Sequence, residues 1–98
     1  MIMPKVDEMI NKNENVLILV IGKDTLLGNF AMSVFKKISK SLNLKNTTYD
    51  VMEVDDDSIN EPLPVLFIYK NKQLINKLLG FHSTMYYTNW IIENVKSE

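Results

Sequence analysis

The sequence predicts an α/β domain spanning residues 1–98: a four-stranded mixed sheet built as βαβ then ββα, flanked by helices, with an extra helix at the N-terminus. Three observations carry this reading. Val16–Ile21 is an unbroken run of Val, Ile and Leu, as in a strand buried on both faces. Leu26 to Leu42 repeats apolar residues at three- and four-residue spacing, which is helical. Val65–Tyr69 and Gln73–Leu79 flank the short connection Lys70-Asn71-Lys72, which makes them a hairpin.

Each segment has a local reason. Pro4 followed by Asp7 and Glu8 suits a helix start, Val6, Met9 and Ile10 give it a short apolar stripe, and Asn13 is placed to stop it. Gly22 breaks the first strand, and Asp24 or Thr25 is placed to cap the next helix. The apolar side of that helix is Leu26, Leu27, Phe30, Ala31, Val34, Phe35, Ile38 and Leu42, with Lys36, Lys37 and Lys40 toward water and toward its negative end. Thr48–Val54 reads as the second strand, and Asp55-Asp56-Asp57-Ser58 as a solvated turn rather than a cation site. Ser83 is placed to cap a last helix with Tyr87, Trp90, Ile91 and Val95 on one face. Burial of the first strand on both faces implies helices on each side of the sheet. The crossover is expected to be parallel and right-handed, and the hairpin antiparallel.

Composition narrows the function classes. Of 98 residues, 46% are hydrophobic, enough for one core. Eleven Lys and Arg against twelve Asp and Glu give a net charge of −1, which argues against nucleic acid as the partner. There is no cysteine, so disulfides, thiolate nucleophiles, Cys-ligated zinc and iron–sulfur ligation are excluded together. No apolar run approaches the ~20 residues needed to cross a bilayer, so no membrane partner is expected and cytoplasm is the expected location. His82, the single histidine, lacks the nucleophile elbow and oriented acid of a hydrolase and reads as a loop residue.

The element order, with Leu63-Pro64-Val65 opening the third strand, resembles the thioredoxin fold from about Asn15 to Val95. Leu63-Pro64 looks like that family's cis-proline loop, and Leu78-Leu79-Gly80 like the end of its hairpin. The resemblance places Thr25-Leu26-Leu27-Gly28 where redox members carry Cys-x-x-Cys. It aligns Leu19 with their buried Asp and Val51 with their buried Lys. The thiols and the proton-moving groups are therefore missing together, which implies a non-redox member. Only about nine residues, Asp55 to Leu63, connect the second strand to Pro64, and this shortness is similar to phosducin-like proteins, although their long preceding helical segment is absent.

The resemblance implies a non-catalytic module that uses no cofactor and no metal and binds a protein or peptide, as a chaperone cofactor or complex subunit. The implied surface is Thr25, Leu26, Leu27, Leu63, Pro64 and Phe81, with the backbone before Pro64 pairing an extended segment. Two rivals stand beside it. One is an enzyme holding glutathione or another thiol cofactor through Thr25. The other is a structural subunit docking through its last helix, where Met85, Tyr86 and Ile92 cannot all face the sheet with Tyr87, Trp90 and Ile91. Oligomeric state is left open by the sequence.

Overall fold

A computed structural model of the chain describes residues 14–55 and 59–96. The aliphatic run forms β1 (Asn15–Gly22), buried along its whole length. β1 pairs in parallel with β2 (Thr47–Val54) and antiparallel with β3 (Val65–Lys70), which pairs antiparallel with β4 (Gln73–Leu79). The sheet order is β2-β1-β3-β4, so the most apolar strand is also an inner strand. The mixed four-stranded α/β architecture and strand positions agree with the sequence reading to within a residue at each end.

α1 (Leu26–Ser41) makes the crossover between β1 and β2, and α2 (Thr84–Lys96) follows the hairpin. Ala31, Phe35 and Ile38 of α1 and Tyr87 and Ile91 of α2 share one core cluster with Leu17, Leu19, Ile21, Leu66 and Ile68. Trp90 and Val95 are half-buried against it. The alternate residues of β1, Val16, Ile18 and Val20, face the other way, into a second cluster with Val54 and Val65. Ile59, Leu63, Phe67 and Tyr69 pack on that cluster. Among the described residues both helices therefore lie on one face, not on each side as expected: the connection after β2 is too short to carry a helix back over the sheet. The additional helix read from Pro4 to Asn13 lies outside the described residues, as do Asp56 and Asp57 of the acidic turn.

The β3–β4 hairpin turns on Asn71 and Lys72, both left-handed (φ 51° and 71°), which matches the twist of a two-residue hairpin. β4 is an irregular edge: its register shifts opposite Ile68/Tyr69. Lys70 reaches across to cap the far end of α2, donating from Nζ to Val95 O at 2.8 Å.

Candidate functional site

Strand direction gathers the site. The parallel strands β1 and β2 end at one pole of the molecule, β3 starts there, and β4 ends there. Each connection at this pole leads into or out of a predicted site residue.

At the end of β1, Asp24 adopts a left-handed conformation (φ 58°), and Thr25, not Asp24, caps α1. The Thr25 hydroxyl accepts from Gly28 N–H at 3.1 Å and donates to Gly22 O at 2.8 Å. It is engaged in both directions, as a cap that also fastens the helix to the strand. Thr25→Ala is expected to lower stability by about 1–2 kcal/mol, and Thr25→Ser by much less. Urea unfolding checks this as a shifted midpoint with unchanged slope. Gly28 is buried beneath the same turn: a Cβ there would lie 2.5 Å from Thr25 Oγ1, 2.9 Å from Gly22 O and 3.1 Å from Ile21 Cβ.

Leu26, Leu27 and Phe30 do not join the core, which corrects the wide apolar stripe read from the sequence. They are 70%, 51% and 50% exposed. The buried residues of α1, Gly28, Ala31, Phe35 and Ile38, make a narrower stripe: the first turn seats on the end of β1 through Gly28, and Leu26, Leu27 and Phe30 lie off that line. Phe30 instead meets Phe81 of the loop after β4, ring centroids 6.3 Å apart.

The Leu63–Pro64 peptide bond is cis, as the resemblance implied. Pro64 is buried and Leu63 half-buried, and Pro64 O accepts from Gly80 N–H at 2.8 Å, which ties the loop before β3 to the loop after β4. In that second loop Tyr87 donates its hydroxyl to Gly80 O at 2.9 Å, and burial pushes this phenol above its ordinary range. His82 Nε2 lies 2.7 Å from Leu79 O, and the ring stacks on Tyr86 at 4.4 Å. A carbonyl only accepts, so Nε2 carries the proton and the histidine braces the loop. Ser83 caps α2 by accepting from Tyr86 N–H at 3.1 Å.

All six predicted residues thus meet at one pole. Pro64 is buried and tied to Gly80, Thr25 braces the first turn of α1, and Leu26, Leu27 and Phe81 are exposed apolar surface. Sequence reasoning missed Phe30 as part of it, and assigned Met85 and Tyr86 to a separate helix face. Of nine exposed large hydrophobics among the described residues, six lie on the helix side of this pole; Leu79, next to buried Leu78, faces the other side of the sheet, and Leu74 and Ile75 lie farther back on β4. That clustering separates a patch from ordinary scatter. Ile92, also read as a contact candidate, is half-buried farther along α2. A groove of about 350 Å³ between α1 and β2, lined by Met32, Lys36, Tyr49 and Glu53 among others, contains none of the predicted residues. Among the described residues no group of three or more metal-ligating side chains converges, and no helix is long and apolar enough to cross a membrane.

No protein-family model matches the chain, and no curated protein matches it in sequence. Solved structures do. The chain is similar to oxidised thioredoxin from Plasmodium falciparum with a TM-score of 0.77, at 19% identity, over 95% of this chain and 92% of that one. It is similar to a mutant thioredoxin from Halobacterium salinarum with a TM-score of 0.79, at 11% identity, over 100% and 88%. It also resembles the zinc-bound form of human ERp44, with a TM-score of 0.76 at 15% identity, over 95% of this chain but 30% of that one. These likenesses give no support to the narrower phosducin-like assignment. Strand order, the cis Leu63–Pro64 bond and these neighbours agree: the chain has a thioredoxin-like fold, and it has no cysteine with which to do dithiol chemistry.

Proposed function

We propose that the protein is a non-catalytic binding module that takes an extended protein segment at the pole of Thr25–Leu27, Leu63–Pro64 and Phe81, as a chaperone cofactor or subunit of a complex. The observation that supports this most is the concentration of exposed apolar side chains at the pole where the cis Leu63–Pro64 bond lies. An extended segment gains affinity from backbone pairing and selectivity from side chains such as Leu26 and Leu27. The Thr25 hydroxyl favours this over a thiol-cofactor enzyme, because its one proton is already donated to Gly22 O and is not free to hold a thiolate. The near balance of charge favours a protein partner over nucleic acid.

The test is partner capture from native lysate by wild type, Leu26→Asp, Leu27→Asp and Ile92→Asp, each with a thermal melt. The two front-face variants are expected to keep their melting temperature and lose the partner, since losing an anchor costs more than ~1 kcal/mol of binding. Loss only in Ile92→Asp would move the interface to α2. Unfolding of both leucine variants would make these residues core. Insulin reduction should stay at the buffer rate throughout, for want of a thiol to form the mixed disulfide.

A further inference from the structure

We infer that, with no other partner bound, this pole pairs with the same pole of a second copy of the chain in a two-fold dimer. This goes beyond the proposed function, because it gives the same surface a different occupant.

Area is the first argument. Leu26, Leu27 and Phe30 from α1 and Phe81, Met85 and Tyr86 from the end of the hairpin and the start of α2 are between 39% and 74% exposed. Side chains of this size leave on the order of 700 Å² open at such exposures, close to the ~800 Å² that each partner of a standard-size interface buries. A single extended peptide covers a strip of that surface; a second protein surface covers all of it. An apolar patch this large is unusual on a protein that stays monomeric.

Charge is the second argument. A two-fold contact sets each group near its own copy, so a strongly charged pole would repel itself. Here Lys23 sits beside Asp24, and Lys77 is bonded to Glu61 at 2.7 Å. Asp55 follows β2 at this same pole, where Lys23 N–H donates to Val54 O at 2.8 Å, and β1 and β3 stand between β2 and the end of β4. The aromatic side of the pole is left without a like-charged cluster among the described residues. The edge strand β4 is a weaker place for self-pairing, since its register shift interrupts the ladder and the Lys77–Glu61 pair sits against it.

The test is sedimentation velocity of the full chain from low micromolar to millimolar concentration, for wild type and for Phe30→Asp, Met85→Asp and Leu74→Asp. Wild type and Leu74→Asp are expected to show the same monomer–dimer equilibrium. Phe30→Asp and Met85→Asp should each weaken it about tenfold or more. Met85 is 74% exposed, so its variant reports on the interface even if Phe30→Asp loses its fold in a thermal melt. Monomer at every concentration overturns the inference, as does a dimer that survives Met85→Asp or dissociates in Leu74→Asp. Open-ended growth overturns the two-fold arrangement. A monomer that still captures its partner through Leu27 sinks the dimer and keeps the binding module; a dimer with no capture does the reverse.

Discussion

Replacing Leu19 with aspartate is expected to leave no cooperatively folded protein at neutral pH. Leu19 is fully buried in β1, between Val51 of β2 and Leu66 of β3, and belongs to the main core cluster. The change forfeits about 2 kcal/mol of apolar burial and adds several more for an ionised carboxylate without a partner. A domain of this size has only about 5–15 kcal/mol of stability to lose. Burial would raise the folded-state pKa of the new carboxyl above the unfolded ~3.9. The charge penalty is therefore absent below the unfolded pKa, where both states are neutral, and grows as pH rises. Urea unfolding by circular dichroism should show no transition at pH 7 and a partial recovery toward pH 4. Leu19→Asn, without the charge, should lose stability with no such pH dependence. A wild-type midpoint for Leu19→Asp at pH 7 would contradict the buried placement of this residue. The position has a wider interest, since redox members of the fold are expected to carry an Asp there. With Val51 opposite, this chain has no group to share the charge.

Gly28→Ala is the second large effect, expected at about 2–4 kcal/mol. The added methyl meets the Thr25 hydroxyl at 2.5 Å and the Gly22 carbonyl at 2.9 Å. Displacing the hydroxyl forfeits a cap worth about 1–2 kcal/mol, and moving the first turn off β1 adds an overpacking cost of about 1–3 kcal/mol. Alanine's better helix propensity returns up to about 1 kcal/mol, which is too little to reverse the sign. At about 4–8 °C per kcal/mol the melting temperature should fall by roughly 10–30 °C. Combined with Thr25→Ala, which removes the hydroxyl it strikes, Gly28→Ala should cost less than the sum of the two. A loss confined to the propensity scale, or a gain, would mean that the turn has room.

Much of the architecture was legible because its signals are local. Val16–Ile21 has no helical period, Gly22 ends it, and Leu63-Pro64 opens a strand that the hairpin at Asn71-Lys72 fixes in register. The site was legible in part. Thr25, Leu63, Pro64 and Phe81 come together because strand direction brings every connection at that pole into one place, and direction follows from connection length. Exposure was harder. Periodicity says that Leu26, Leu27 and Phe30 sit on a helix, but not which arc of that helix the sheet covers. The width of the stripe was the available clue: eight apolar positions from Leu26 to Leu42 span more of a helix than one sheet face can cover, so some had to remain outside. The side of the sheet that carries neither described helix was misread for a similar reason, since full burial of β1 reports neighbours on both faces without saying that they are helices.

The close seat of α1 on the end of β1 bears on what the scaffold could become. Cysteines introduced at positions 25 and 28 would not make a working dithiol by themselves. The first would remove the hydroxyl that fastens the helix, and the second would push its sulfur's own Cβ into the Gly22 carbonyl. The turn would have to lift from the strand before the pair could form, so each single step toward redox chemistry begins with a loss of stability. Glycine at 28 acts here as a ratchet: it lets the turn settle where a catalytic thiol has no room to stand.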